Sequence, residues 1–152
     1  MKIFPDANLS RIKQAHRTVL AKTTTAIAEA TAEAGEAGVA YAKRYPRFTP
    51  RTGDTQRANE WRTVKVAGGR ILRIRNTKKH AAALDKGARP HDIVARRKPF
   101  LHFLGKRGWV RTKRVKHPGN RPYRFLHGAT IAAGRLLGVK LAAKMARISK
   151  QF

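Results

Sequence analysis

Residues 80–126 read HAAALDKGARPHDIVARRKPFLHFLGKRGWVRTKRVKHPGNRPYRFL, and the fold turns on this stretch. His80 to Lys86 is expected to be a short helix, with Thr77 as its cap and Gly87 as its C-terminal stop. The loop Gly87-Ala88-Arg89-Pro90-His91 leads into Ile93-Val94. Pro99 to Leu104 and Trp109 to Val115 are β-rich and are joined by Gly105-Lys106-Arg107-Gly108, which is the pattern of a hairpin. The second strand carries Arg111, Lys113 and Arg114, so at least one face of the hairpin must stay in water. Pro118-Gly119 ends the sheet. Pro122 suits the first turn of a helix, where its missing N–H is not needed.

The helix that follows runs from about Tyr123 to Ile148. Phe125, Ala129, Ala132, Leu136, Leu137, Leu141 and Ile148 approximate one stripe, and Lys140, Lys144 and Arg147 fall on another face. Gly128, Gly134 and Gly138 loosen it. At the other end of the chain, Leu9, Ile12, His16, Val19, Thr23, Ile27, Ala30 and Ala34 recur with a spacing near 3.5 residues. They predict one long amphipathic helix from Leu9 to Arg44, capped by Asn8 or Ser10, with a kink or break near Gly35 and Gly38. Pro46 and Pro50 forbid its continuation. Its small Ala/Thr face permits close approach of another helix, from the same subunit or from a neighbour. Trp61–Val66 and Arg70–Arg75, joined by Ala67-Gly68-Gly69, form a first hairpin. Val64 and Val66 share one of its faces, as do Leu72 and Ile74 on the partner strand.

The expected fold is therefore α+β: a small antiparallel sheet of two hairpins packed with long N- and C-terminal helices. The 152 residues form a single domain, with helix 9–44, sheet region 61–116 and helix 122–148. No internal repeat is present. Many of the apolar residues are alanines, so the core should be thin.

Charge is the dominant feature of the composition. The chain has 35 Lys and Arg against 8 Asp and Glu, a net charge of +27. Residues 1–60 hold 10 basic and 6 acidic residues, whereas residues 61–152 hold 25 basic residues and two acids, Asp85 and Asp92. Such a chain repels itself and attracts polyanions. A generally solvated basic surface is the plainer alternative. The lack of cysteine excludes disulfides and thiolate metal sites. No run approaches the length of a membrane helix, and the N-terminus lacks the apolar core of a secretion signal.

Few residues suit catalysis. The histidines are scattered, with no His-x-x-x-His pair and few carboxylates nearby, so no metal and no cofactor is expected. His117-Pro118-Gly119-Asn120 is too short to be an HNH-type nuclease motif. Its histidine reads instead as a turn residue whose ring bonds to backbone. Gly105-Lys106-Arg107-Gly108 lacks the following helix and the Gly-Lys-Ser/Thr of a phosphate loop. Arg96, Arg97, Lys98, Lys106, Arg107, Arg111, Lys113 and Arg114 are the candidate DNA-proximal residues. Phe100, Phe103 and Trp109 are interleaved with them, and aromatics among cations can stack on single-stranded bases. The preferred reading makes Phe100 and Phe103 core residues and the charges a wet face.

His117-Pro118-Gly119-x-x-Pro122-x-x-Phe125-Leu126, preceded by Gly87 in a turn, Pro99 on a strand and Gly108 in a hairpin, resembles the head–tail joining proteins of long-tailed bacteriophages. These are also called neck, tail-completion or minor tail components. The Pro50-Arg51-Thr52-Gly53 string is similar to that family as well. However, Thr55-Gln56-Arg57-Ala58-Asn59 stands where the family has a short apolar stretch. The resemblance spans roughly Pro46 to Leu137. It implies a non-enzymatic virion protein at the head–tail junction, synthesised in the host cytoplasm. It further implies a homo-oligomeric, hexameric ring around the DNA passage, with connector, stopper and tail-terminator proteins as partners. In that reading the motif residues are structural, and Phe125 and Leu126 anchor the last helix on the sheet. A free basic nucleic-acid-binding protein of ribosomal or nucleoid type is the alternative.

Overall fold

The computed structural model describes residues 6–50, 52–67, 69–105 and 107–151. Its elements run α1 (Asp6–Arg44), α2 (Asp54–Arg57), β1 (Asn59–Val66), β2 (Gly69–Asn76), α3 (Ala81–Lys86), β3 (His91–Val94), β4 (Leu101–Gly105), β5 (Gly108–Thr112), β6 (Arg114–His117) and α4 (Phe125–Ser149). The fold class is α+β, with the two long helices at the ends of the chain. The strands make three two-stranded antiparallel ribbons, β1–β2, β3–β6 and β4–β5, instead of one sheet.

α1 and α4 form an antiparallel pair. Ala26, Ala30, Ala34, Ala129 and Ala133 are buried along it, so the small face of α1 is filled from within the subunit. Small side chains let the backbones approach, and charged groups close the seam at its margin. Lys144 Nζ lies 2.6 Å from Glu29 and 3.2 Å from Glu33, and Lys140 Nζ lies 2.7 Å from Glu33. These pairs hold the Glu33 carboxyl below its ordinary range, chiefly through its hydrogen bonds to Lys140 and Lys144. Near the end of α4, Lys22 Nζ donates to Gln151 Oε1, and residues 8–17 of α1, beyond that contact, are all exposed. The first four turns of α1 therefore project past α4, roughly 24 Å at 1.5 Å per residue.

α1 begins at Asp6, so neither Asn8 nor Ser10 caps it. The helix does not break at Gly35 and Gly38 either, since α1 is continuous through both. Those glycines serve packing. A Cβ on Gly35 would stand 2.3 Å from Cδ2 of Trp61, and one on Gly38 would stand 2.3 Å from Cδ1 of Ile74. The β1–β2 ribbon thus lies directly on the α1 backbone, and that contact offsets the roughly 1 kcal/mol propensity cost of each glycine. The ribbon's register pairs Trp61 with Ile74 and Thr63 with Leu72. These residues share the helix-facing side. Val64, Val66 and Ile71 take the other side, where Val66 and Ile71 are exposed.

The segment singled out in the sequence builds the joint between α3 and α4. Gly87 ends α3 with φ 85°, as its placement predicts. His80, not Thr77, occupies the N-cap position. Ala88 and Asn120 exchange two backbone hydrogen bonds of 3.0 Å, and Asn120 Nδ2 donates to the Ala83 carbonyl at 3.0 Å. Gly119 has φ 80°, and a Cβ there would lie 2.2 Å from the Ala88 carbonyl oxygen, so glycine is required twice over. His117 Nδ1 accepts the Gly119 N–H at 3.1 Å, the backbone role expected of it.

α4 starts later than Pro122 suggested. Pro122 precedes the helix, and Arg124, at φ 51°, stands at the N-cap position. Donors at the start of α4 and just before it are met by α3 instead of by a local side-chain cap. The Leu126 N–H donates to Asp85 Oδ1 at 2.8 Å, and the Tyr123 and Arg124 N–H groups donate to the Leu84 and Asp85 carbonyls at 3.0 Å. A carboxylate at a helix N-terminus also suits the helix dipole. Phe125 is 1% exposed and is the largest fully buried side chain among the described residues. It clusters with Ala42, Ala81 and Ala129, flanked by Tyr41, Phe48, Ile74, Leu84 and Leu126. Its ring meets Phe48 edge-on at 5.4 Å. Phe125 thus anchors α4 mainly on α1, α3 and the 45–50 loop, with Ile74 as the ribbon's contribution.

One further element was not anticipated. Where the expected apolar stretch is missing, Asp54–Arg57 forms a single helical turn with no buried residue. Gln56 Nε2 ties it to the Lys43 carbonyl at 2.9 Å, and Thr55 Oγ1 contacts His80 Nε2 at 2.8 Å.

Candidate nucleic-acid interface

The expected strand Trp109–Val115 is divided at Lys113. Thr112 Oγ1 accepts the Arg114 N–H at 3.3 Å and donates to the Arg114 carbonyl at 2.9 Å. A side chain that captures its own backbone two residues on competes with the ladder. The chain therefore switches partners here. β5 pairs with β4, with Leu101 opposite Thr112, and β6 pairs with β3, with His91 opposite His117. The two ribbons follow one another along the same pair of chain segments. The surplus residues Arg96-Arg97-Lys98-Pro99-Phe100 bulge out at the break, opposite Lys113.

This bulge collects the cations. Arg96, Arg97 and Lys98 are exposed on it, Lys113 is exposed across from it, and Arg107 is exposed at the tip of the β4–β5 arm. Lys106 lies outside the described residues. Arg111 is exposed on β5, and its guanidinium carbon sits 4.2 Å from the centroid of the Phe100 ring, with Lys113 Nζ at 5.9 Å from the same ring. Arg114 differs from the rest. It is paired with Asp92 across the β3–β6 ribbon, which lowers the Asp92 pKa and raises that of Arg114. Arg114 is thereby partly neutralised as a phosphate contact. No acidic residue follows Asp92 in the sequence, so the arm carries no carboxylate of its own.

The aromatic residues overturn their sequence reading. Phe103 is 37% exposed and Phe100 half-buried, so neither is core. Trp109 is 71% exposed and its indole stacks on the His102 imidazole, with centroids 4.8 Å apart and planes at 30°. Cross-strand register puts Leu104 opposite Trp109 and His102 opposite Arg111, all on one face of the arm. Phe103 and Val110 oppose each other on the second face. A two-stranded ribbon has no third layer to cover either face, and both lie open.

Comparison with protein-family models, curated proteins and solved structures finds no match for this chain. The function must therefore be read from the chain's own surfaces.

The remaining motif residues are structural in position. Pro99 lies in the cationic bulge, ahead of β4, and Gly108 adopts φ 119° at the arm's turn. Gly87, Pro118, Gly119 and Pro122 shape the α3–α4 joint. Across the β3–β6 ribbon, the His91 and His117 rings lie 5.0 Å apart. Sequence reasoning missed this pair, because their register depends on the break at Lys113. His91 Nδ1 faces the Arg89 carbonyl at 2.9 Å, which leaves both rings engaged with backbone. Among the described residues, no three of His, Asp and Glu gather as a metal site. No described helix is long and apolar enough to cross a membrane.

Proposed function

We propose that this chain is a structural protein of a bacteriophage neck, one subunit of a hexameric ring around the DNA passage between head and tail. The observation that carries this reading is the pair of projections from the folded body. The overhanging turns of α1 leave Leu9, Ile12 and Leu20 exposed at 49%, 62% and 59%, and the β4–β5 arm leaves Leu104 and Trp109 exposed at 52% and 71%. Apolar side chains on protruding elements suit a subunit that is completed by neighbours. The resemblance of the His117–Leu126 segment to head–tail joining proteins favours the same reading. Its residues act as a joint that fixes the course of α4, as an architectural motif should.

The charge suits a passage for DNA. Many weak phosphate contacts without base readout would screen the genome yet let it move. Connector, stopper and tail-terminator proteins are the partners in this reading, and the virion neck is the location. Imaging the purified neck with a tag on this chain tests it. Tag density in a ring at the head–tail junction is expected. Its absence from the particle would refute the assignment. The free nucleic-acid-binding alternative predicts a protein found on nucleic acid in the cell and missing from virions.

A further inference from the structure

We propose that the β4–β5 arm is a stacking platform for single-stranded nucleic acid. The inference stands on the arm alone and does not require the neck reading. Duplex DNA presents phosphates, which cations serve without help. Exposed aromatic faces gain nothing from a duplex, whose bases are stacked on one another, and can take up bases only where base faces are free. The arm offers two such stations on one side. At the first, Trp109 lies on His102 at 4.8 Å and turns its outer face to solvent. At the second, Arg111 covers Phe100 at 4.2 Å. A guanidinium plane over a ring extends the stack and brings a positive charge with it.

The stations lie about two residues apart along β5, roughly 7 Å. That is about twice the 3.4 Å per nucleotide of a stacked strand. It suits neighbouring bases splayed from an extended backbone. Arg96, Arg97, Lys98, Arg107 and Lys113 surround them, all exposed and with no carboxylate on the arm to compete with a phosphate. Charge complementarity therefore selects a polyanion, and the open rings select one whose bases are unpaired. Leu104, beside Trp109, adds apolar contact for a base edge or sugar. The open rings read hydrophobic faces in general, so no base preference is expected.

The test is fluorescence anisotropy of the full chain with a labelled oligothymidine and with a random duplex of equal length, at low and moderate salt. Tighter binding of the single strand is expected. Trp109→Ala should weaken the single strand by roughly ten- to a hundredfold, the worth of one stacked base. Its duplex affinity should stay within about twofold, because the cations remain. Trp109→Phe should restore most of the loss. Arg135→Gln, which removes an exposed cation from α4, should lower both affinities slightly and equally. Because Trp109 is exposed, helix content and thermal midpoint should be unchanged in its variants, which separates loss of binding from loss of fold. Equal affinity for single strand and duplex would overturn the proposal. So would a Trp109→Ala protein that binds both as the parent does, or loses both to the same degree.

Discussion

Replacing Phe125 with alanine tests the joint on which the fold depends. The ring is 1% exposed, and the buried residues clustered with it, Ala42, Ala81 and Ala129, are alanines. Short side chains on rigid helices cannot swing in to fill the space. Of the larger side chains around it, Phe48 reaches it from the 45–50 loop and would lose its edge-on partner at 5.4 Å. Truncations of this kind cost about 3–5 kcal/mol. In a chain of this size each kcal/mol moves the thermal midpoint by about 2–4 °C. The expected fall is then roughly 6–20 °C, read by circular dichroism at the helix minimum. The loss should be cooperative, since Phe125 joins α1, α3 and α4. A midpoint within about 2 °C of the parent would show that the Phe125 cavity is not the centre of the core, and the reasoning would fail.

Other expectations follow from the same contacts. Gly119→Ala places a Cβ against the Ala88 carbonyl and in a left-handed conformation, so it should destabilise by at least about 2 kcal/mol in urea unfolding. Gly134→Ala, where a Cβ meets nothing within 4 Å, should stabilise by about 0.5–1 kcal/mol. The Glu33 pKa is lowered in the folded state, so its contribution is complete above the ordinary value of 4.5 and is lost as pH falls through the lower folded value. Thermal midpoints should therefore drop on acidification below about pH 4.5, and Glu33→Gln should show a smaller drop. Duplex DNA of any sequence should bind, with an affinity that falls on a log–log salt plot by roughly 0.9 per phosphate contacted. A strong preference for one sequence would contradict contact through phosphates alone.

Much of the fold is legible because it rests on local rules. Period, proline and glycine placement mark both long helices, the β1–β2 hairpin, the α3 stop at Gly87 and the turn role of His117. What the sequence conceals is tertiary. Gly35 and Gly38 look like helix breakers until Trp61 and Ile74 are seen lying on them. Pro122 looks like the first residue of α4 until Asp85, from another helix, is seen supplying the cap. Thr112 hides the break that splits one expected strand into β5 and β6 and throws the cations onto a bulge. Phe100 and Phe103 look like core because aromatics usually are. Phe103 is exposed and Phe100 only half-buried because the body of the fold is filled by alanine-lined helices and leaves the arm nothing to pack on. The cationic cluster itself was readable from charge alone. The ion pair of Arg114 with Asp92 was not, since it requires the β3–β6 register.

The role proposed for the chain is to join head to tail. Deleting its gene from a producing phage, and examining the lysate by electron microscopy, tests this most directly. The account predicts DNA-filled heads and separate or aberrant tails, with DNA synthesis unaffected and infectivity restored by the gene supplied in trans. Normal, infectious, fully joined particles in the deletion would contradict it.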